Sequence, residues 1–344
     1  MYDFMIQTNT PLHAEEGSTL GGTERQILTV AEKLASEGCN VALLHSQTDG
    51  SDRIINDVKH LNAYRHHFAQ SNVRLSCNHF YYMHNFHKGY NAYGPHIPAV
   101  SPLEINSCNN FYVWFHNWFL CHRKCSRIFN SEAVKRYVYE GENKAIDQDK
   151  KLDDKVIHYM VPKESDQLKP LDKRSDYLYW MSAYGKGLKE ALLVYFALYE
   201  NGMKRPFYIS IPPQRKKADV KVVENTLKDM NKFNYPIMFL GELNYQQAMK
   251  TLSNAACLFR PTSPQETFGL VYLEANQLGV PVITTEGDAG EEILVDKNNM
   301  FIRKNTHIND IQNWLENIQN KKTKVDMKKF DPDVIAKKWI SLLK

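Results

Sequence analysis

Cysteines are few in this sequence, and they follow no regular spacing. Six lie among 344 residues, at positions 39, 77, 108, 121, 125 and 257. Small disulfide-stabilised domains carry denser and more regular cysteines, so a disulfide scaffold is excluded. Cys121, His122 and Cys125 lie close together downstream of His116, but their spacing matches no common zinc site, and we expect no metal there.

The chain also lacks long apolar runs and a strong net charge. Its longest apolar stretch, residues 191–199, is too short to span a bilayer. The first residues, MYDFMIQTNT, contain neither the basic residues nor the long apolar segment of a signal peptide. We therefore expect a soluble, cytoplasmic protein. With 43 basic and 39 acidic residues, the sequence gives no reason to expect a nucleic-acid partner.

Lysines are concentrated in one segment, residues 321–344. Eight lysines lie there against three aspartates, with apolar residues between them. This pattern is typical of a C-terminal helix whose apolar stripe packs on the body of the protein while its charged face is solvated. A weak, peripheral contact with an anionic membrane surface is the alternative.

Length and patterning predict an α/β protein with two domains. The chain is longer than one typical core, and 43% of its residues are apolar. Strand-like runs alternate with amphipathic helices in both halves. We predict a Rossmann-like N-terminal domain over residues 1–160, a Rossmann-like C-terminal domain over 161–325 and a terminal helix over 326–344, with the linker near 160–174.

The N-terminal domain opens on a strand, a glycine-containing loop and a helix. The strand covers residues 4–7, the loop ends in Gly21-Gly22, and the helix runs towards Gly38. A glycine pair at a strand-to-helix turn lets the phosphate or sugar of a ligand approach the backbone. Gly21 and Gly22 are therefore predicted binding residues, and a plain structural turn is the alternative.

A histidine follows the buried strand predicted over residues 111–115. His116 lies at the carboxyl end of that strand, where open α/β sheets bind their ligands. We therefore treat it as a candidate site residue. The alternative is a histidine that caps an element or fills the core.

Two carboxylates around a helix start are the most informative feature. Glu266 precedes Phe268-Gly269, and Glu274 lies in a predicted helix that begins near Leu270 and ends before Gly279. The unpaired N–H groups of a helix N-terminus favour an anion such as a diphosphate. A nucleotide sugar fits this arrangement, with one carboxylate on its sugar hydroxyls and the other on its ribose.

A run of motifs lies between Pro236 and Ile293. It comprises Gly241 after Phe239-Leu240, the strand 256–259 ahead of Pro261-Thr262, Glu266-x-Phe268-Gly269-Leu270, Glu274-Ala275, Gly279-x-Pro281-Val282-Ile283 and Glu292-Ile293. This run resembles the GT-B glycosyltransferases, and within them the retaining enzymes of family 4. The resemblance implies two Rossmann-like domains that face each other across a crevice, with the last helix crossing back to the N-terminal domain. The alternative is a plain βαβ unit with two solvated glutamates.

The same resemblance implies an activity. It is the transfer of a hexosyl unit from a UDP- or GDP-sugar to a glycan, lipid-linked or protein acceptor, with retention of the anomeric configuration. One alternative is another GT-B enzyme, such as a nucleotide-sugar epimerase or an inverting transferase that uses His116 as its base. A second alternative is a non-catalytic sugar-binding module.

The resemblance also implies roles for individual residues. Catalytic roles are implied for His116, which is similar to a histidine that contacts the transferred sugar, for Lys186, which is similar to a lysine that pairs with the diphosphate, and for Glu266. The predicted donor-binding residues are Gly21, Gly22, Lys186, Arg215, Gly241, Thr267, Phe268, Gly269, Leu270 and Glu274. Arg215 is not part of the family pattern and is named as a candidate second charge beside Lys186.

The positive charge that would face the diphosphate departs from the family pattern. Relatives usually carry a Gly-Arg pair where this chain has Trp180-Met181, so Lys186 acts alone or together with Arg215. The Asp-x-Asp triplets at 147–149 and 331–333 follow no apolar strand, and we reject both as metal ligands. We therefore expect a metal-independent reaction without a cofactor, in which Lys186 and helix amides meet the diphosphate charge.

Overall fold

The chain divides into two compact units. Unit 1 comprises Met1–Pro162 together with Met327–Lys344, and unit 2 comprises Lys163–Asp326. None of the helices in the described ranges is long and apolar enough to cross a membrane. The computed structural model describes residues 1–8, 12, 22–45, 51–62, 71–77, 90–93, 128–133, 135–136, 155–161, 170–212, 217–231, 234–261, 266, 268–287 and 289–343.

Helices occur in both units, and short turns of 3₁₀ helix cover Tyr184–Lys186 and Ser341–Leu343. Most of the longer helices are amphipathic and cover a sheet. The described helices are α1 (Gly22–Ser36), α2 (Leu188–Glu200), α3 (Lys217–Asn231), α4 (Tyr245–Asn254), α5 (Leu270–Gln277), α6 (Gly290–Ile293), α7 (Ile308–Asn317), α8 (Met327–Phe330) and α9 (Pro332–Ile340).

Unit 1 is built on a six-stranded sheet. Its strands are β1 (Tyr2–Thr8), β2 (Val41–His45), β3 (Arg53–Ile55), β4 (Val58–Asn62), β5 (Ser71–Cys77) and β6 (Tyr90–Tyr93). They lie in the order β3-β4-β2-β1-β5-β6, and all pairs are parallel except the β3-β4 hairpin. Two short strands follow this sheet along the chain, β7 (Ile128–Phe129) and β8 (Lys155–Val156), and they pair in parallel with each other. Without β3, the chain order of the sheet is the 3-2-1-4-5 of a Rossmann-like fold.

The last helix of the chain belongs to unit 1. Asp331 caps α9 by accepting hydrogen bonds from the N–H groups of Asp333 and Val334, and Pro332 takes the first helical position. Ile335 and Trp339 are buried in the same apolar core as α1 and β1. The C-terminal segment therefore completes the core of the unit in which the chain begins.

A buried histidine pair ties the backbone after β1 to β2 and β4. The N–H of Leu12 donates to Nδ1 of His45 at 3.1 Å, and Nε2 of His45 lies 3.1 Å from Nδ1 of His60. Because Nδ1 of His45 accepts, its hydrogen is on Nε2 and is donated to His60. Burial, with a smaller contribution from the charge of Arg53, lowers the pKa of His60 to about 4. His60 is therefore neutral at physiological pH.

Unit 2 is built on a six-stranded, fully parallel sheet. Its strands are β9 (Leu178–Met181), β10 (Phe207–Ile211), β11 (Ile237–Glu242), β12 (Cys257–Phe259), β13 (Val282–Thr285) and β14 (Met300–Ile302). They lie in the order β11-β10-β9-β12-β13-β14. Counted along the chain from β9, this is the Rossmann order 3-2-1-4-5-6. The sheet reverses its winding between β9 and β12.

Several element boundaries agree with the sequence-based predictions. The strands predicted over 4–7 and 256–259 lie at Tyr2–Thr8 and Cys257–Phe259, and the helix predicted from near Leu270 to before Gly279 is α5, Leu270–Gln277. The next strand, β13, begins at Val282 and not at Val280, because the N–H of Val280 bonds the carbonyl of Ala275 in α5. The predicted strand at 111–115 lies outside the described residues.

Candidate functional site

The candidate site lies at the carboxyl ends of β9 and β12. These strands are neighbours, and the chain leaves them towards opposite edges of the sheet, so the sheet changes its winding direction between them. In open α/β sheets, ligands bind outside the carboxyl ends of strands at such a switch point. Here β9 leads to the 3₁₀ turn that ends in Lys186, and β12 leads to Arg260 and Glu266.

Glu266 is held between two cations. Its Oε1 lies 3.1 Å from Nζ of Lys186, and its Oε2 lies 2.9 Å from a guanidinium nitrogen of Arg260. The Lys186 side chain is 43% exposed, the Arg260 side chain is 1% exposed, and the Glu266 side chain is 13% exposed. Each carboxylate oxygen therefore has its own cationic partner, one on the solvent side and one inside the protein.

The two cations keep Glu266 ionised. Burial acting alone would raise the pKa of this carboxyl. The charges and hydrogen bonds of Lys186 and Arg260 outweigh burial and lower the pKa to about 2. Glu266 is therefore a fixed anion at physiological pH, an acceptor for hydroxyl groups and not a proton donor.

The Arg260 guanidinium lies over two aromatic rings. Its guanidinium carbon is 5.3 Å from the ring centre of Trp180 and 5.4 Å from that of Tyr272. A second guanidinium nitrogen donates to the carbonyl of Lys186 at 3.3 Å. Sequence reasoning missed this residue. The available signal was an arginine directly between the buried strand 257–259 and Pro261, a position where a charged side chain must find a partner.

Helix α5 presents its N-terminus beside this anion. Gly269 has φ +86° and is the N-cap residue, and among the described residues no side chain caps the helix. A Cβ at Gly269 would lie 2.4 Å from Cδ2 of Tyr272, so both backbone conformation and space require glycine. A first turn without a side-chain cap, here at Leu270, is an arrangement that favours a bound anion.

Glu274 lies on the covered face of α5. Glu274 is only 1% exposed, and its neighbours Leu273 and Ala275 are buried as well. The helix is fixed further by Tyr272, whose hydroxyl is 2.8 Å from Oγ1 of Thr284 on β13. The role predicted for Glu274, binding of ribose, stays a prediction.

Gly241 is the last but one residue of β11, at the carboxyl edge of the same sheet. Its φ is +75°, and the pairing with β10 shifts register between Ile209 and Ser210. A Cβ added to Gly241 would meet nothing within 4 Å. Glycine is thus favoured here by the backbone conformation alone, in contrast to Gly269.

Some of the predicted site residues lie together in the structure, and others lie elsewhere or outside the described residues. It brings Lys186, Glu266, Phe268, Gly269 and Leu270 together in unit 2, with Phe268 buried. Gly22 begins α1 in unit 1. The predicted residues outside the described part of the chain are Gly21, His116, Arg215 and Thr267.

A second cation lies near Lys186 within the described residues. It is Arg260, which pairs with Glu266, whereas Met181 at the end of β9 is partly buried and uncharged. The charge predicted for Arg215 beside the diphosphate stays a prediction. Within the ranges that the structure describes, no three His, Cys, Asp or Glu side chains form a possible metal site.

One family model matches the sequence. Residues 224–334 match the family described as glycosyl transferases group 1. This stretch contains β11, β12 and α5, and with them Arg260, Glu266 and Glu274. No curated protein matches the sequence.

Solved structures resemble the chain over nearly its whole length. Sucrose-phosphate synthase from Thermosynechococcus elongatus has a TM-score of 0.67 at 14% identity, and the match covers 99% of this chain and 93% of that chain. Anabaena HepE in complex with UDP-glucose has a TM-score of 0.66 at 12% identity, covering 99% and 98%. A glycosyltransferase from Rickettsia africae ESF-5 has a TM-score of 0.64 at 14% identity, covering 100% and 98%. Together with the two Rossmann-like sheets, these likenesses show a GT-B fold, and the fold prediction is confirmed.

Proposed function

We propose that this protein is a glycosyltransferase that moves a hexosyl unit from a UDP- or GDP-sugar to an acceptor hydroxyl, with retention of the anomeric configuration. The observation that carries the proposal is the fixed anion Glu266 beside the open N-terminus of α5, at the switch point of a Rossmann sheet. The family-model match covers these residues and supports the activity.

Each part of a nucleotide sugar has a partner in this proposal. The amides at the start of α5 bind the diphosphate, and Lys186 adds a flexible positive charge. Glu266 accepts hydrogen bonds from hydroxyls of the transferred sugar, and Glu274 binds the ribose. Gly241, at the end of β11, lets the ligand approach the backbone.

The proposed reaction needs no separate base. The bond between the anomeric carbon and the diphosphate oxygen breaks through an oxocarbenium-like state. The acceptor oxygen then bonds the anomeric carbon on the same face, and its proton passes to the departing diphosphate. Lys186 and the helix amides stabilise the charge that develops on the leaving group. A contact of His116 with the transferred sugar belongs to the same proposal.

The neighbouring structures support the choice of donor. HepE was crystallised with UDP-glucose, and its fold matches this chain over nearly the full length. We therefore propose a UDP-linked sugar as the first choice of donor and a GDP-linked sugar as the second. The acceptor in this proposal is a glycan, a lipid-linked molecule or a protein.

The proposal also covers the location of the protein, its independence of cofactors and the roles of its two domains. We place the protein in the cytoplasm, with the reaction independent of metals and other cofactors. Weak peripheral membrane contact would involve the lysine-rich segment 321–344, in which Lys324, Lys328 and Lys338 are exposed. We further propose that residues 1–160 bind the acceptor and residues 161–325 bind the donor.

The test begins with the donor. A thermal-shift panel of UDP-, GDP- and ADP-sugars identifies the base, and NMR of the product then gives the anomeric configuration. A retained configuration supports the proposal. An inverted product would instead point to an inverting transferase with His116 as its base, and binding without transfer or slow donor hydrolysis would point to a sugar-binding module.

A pair of glutamate variants tests whether Glu274 binds the ribose and Glu266 the transferred sugar of the donor. Glu274→Gln should weaken free nucleotide binding by about 1–3 kcal/mol through lost charged hydrogen bonds. Glu266→Gln should leave nucleotide binding nearly intact while transfer collapses, and its melting temperature must be checked because Arg260 then loses its anion. An equal loss of nucleotide affinity in both variants would rule out this division of roles.

A further inference from the structure

The two cations on Glu266 differ in their freedom to move. Lys186 is 43% exposed at the end of a short 3₁₀ turn, and its ammonium stands on a long, flexible side chain. Arg260 is 1% exposed, lies between the rings of Trp180 and Tyr272, and also donates to the carbonyl of Lys186. One partner can therefore leave Glu266 without disturbing the fold, whereas the other cannot.

Arg260 and Glu266 depend on each other. A buried guanidinium without an anion is strongly unfavourable, and so is a mostly buried carboxylate without a cation. The 2.9 Å contact to Oε2 satisfies both. The contact to Oε1, made by Lys186 at 3.1 Å, is the one that a second anion can compete for.

A bound diphosphate is such an anion. In the proposed function it lies at the N-terminus of α5, close along the chain to Glu266, and attracts the Lys186 ammonium. Glu266 would then lose one cation while a new negative charge arrives nearby. A carboxylate in that position takes up a proton or turns away unless another cation holds it.

We propose that Arg260 is a positioning residue that keeps Glu266 oriented and ionised when Lys186 leaves it for the diphosphate of the donor. Lys186 exchanges one anion for another, and Arg260 remains in place. Arg260 itself does not contact the donor. This inference rests on the proposed function, because it needs a diphosphate ligand.

The direct test follows the Glu266 carboxyl by carbon-13 NMR. Protein labelled at glutamate carboxyl carbons is titrated with and without UDP, or GDP if UDP does not bind, and Glu266→Gln assigns the signal. In the unmodified protein, Glu266 should remain ionised down to about pH 4 in both conditions. Arg260→Met should raise its pKa by about 1–3 units, and added nucleotide should raise it further.

Three variants complete the experiment. Lys186→Met is the matched control: Glu266 should stay ionised, nucleotide affinity should fall about 10-fold, and added nucleotide should shift the carboxyl signal less than in the unmodified protein. Arg260→Lys keeps the charge and should restore most of the low pKa. Arg260→Gln is a second neutral variant, with the same expected rise as Arg260→Met, for use if that variant fails to fold.

Two results would overturn the inference. If Arg260→Met and Arg260→Gln lose as much nucleotide affinity as Lys186→Met, Arg260 contacts the ligand directly. If Glu266 stays ionised in both neutral variants with nucleotide bound, Arg260 has only a structural role. For Arg260→Met and Arg260→Gln we expect a nucleotide affinity within about 3-fold of that of the unmodified protein, because these variants lose no contact with the ligand.

Transfer kinetics separate this inference from the proposed function. In an active enzyme, Arg260→Met should move the acid limb of kcat to higher pH with little change in the donor KM, and Arg260→Lys should move it back. If nucleotide binds and Glu266 behaves as described but no donor is turned over, the proposed function fails and the role of Arg260 stands. A protein that binds neither nucleotide overturns both.

Discussion

Asn276 and Asn299 exchange two amide hydrogen bonds in the interior of unit 2. Nδ2 of Asn276 donates to Oδ1 of Asn299 at 2.9 Å, and Nδ2 of Asn299 donates to Oδ1 of Asn276 at 2.8 Å. Oδ1 of Asn299 also accepts from the N–H of Val282, at the start of β13. The pair therefore fixes α5, which carries Glu274, to the strand beside it.

Breaking this pair should destabilise unit 2. Asn299→Leu leaves Oδ1 of Asn276 and the N–H of Val282 without their partner in a buried position, while Nδ2 of Asn276 keeps only the carbonyl of Val280, and the cost should be about 2–4 kcal/mol. Urea denaturation measures the loss. Asn317→Ala, on the exposed side of α7, is the control and should cost less than about 0.5 kcal/mol. Equal stability of the two variants would show that α5 is held by other contacts.

Two glycine substitutions should have unequal effects. Gly269→Ala introduces both an unfavourable backbone conformation and a Cβ 2.4 Å from Tyr272, so the start of α5 must shift and nucleotide binding should be lost. Gly241→Ala meets no protein atom within 4 Å, so its positive φ should cost only about 1–2 kcal/mol of folding stability, and its UDP affinity should fall only where the new Cβ meets the ligand. Calorimetric titration with UDP compares them. Normal binding by Gly269→Ala would remove the α5 N-terminus from the site.

The histidine pair in unit 1 should make stability depend on pH. The pKa of His60 is about 4 in the folded protein and 6.5 in its ordinary state, so the unfolded chain binds the extra proton between these values. Stability from this group is complete above about pH 6.5 and is lost as the pH falls towards 4, by up to about 3 kcal/mol. Urea midpoints measured across this range test the prediction.

A matched pair of histidine variants isolates that effect. His60→Asn keeps an acceptor for Nε2 of His45 but cannot take up a proton, so its stability should change less between these pH values. His307→Asn, at the exposed start of α7, should keep the pH dependence of the unmodified protein. If both variants show the same slope, His60 does not determine it.

Lys186 should matter more for the rate than for donor binding. Removal of a close cation from the leaving group should lower kcat by about 10²–10³-fold, while the amides of α5 still bind the ground state and nucleotide affinity falls about 10-fold. Arg215→Ala should have a smaller effect than Lys186→Ala. Melting temperature should not change in Lys186→Ala, because this side chain is 43% exposed.

Chelation gives an independent check on the source of the positive charge that faces the diphosphate. If Lys186 and the helix amides meet the diphosphate charge, EDTA should leave turnover unchanged. Turnover that disappears with EDTA and returns with Mn²⁺ or Mg²⁺ would show that a metal supplies the charge, and the metal-free mechanism would be wrong.

The order of elements around the candidate site follows from the sequence. The buried strand 257–259, the turn at Gly269 and the helix with Glu274 are each specified by local patterns: an apolar run, a glycine that permits positive φ, and helical periodicity. The alternation of strands and helices likewise predicts two Rossmann-like domains. Glu266 could be named as a candidate because it precedes the helix start at Gly269, and Lys186 because it is similar to the family lysine that pairs with the diphosphate.

Tertiary structure alone decided which side chains meet. Arg260 is next to Pro261 in sequence, but its partners come from β9, α5 and the loop at 266, and no local pattern pairs them. The same holds for His45 with His60 and for Asn276 with Asn299. Secondary structure depends on neighbours along the chain, whereas the partner of a buried polar group depends on what the whole fold brings within hydrogen-bonding distance and shields from water.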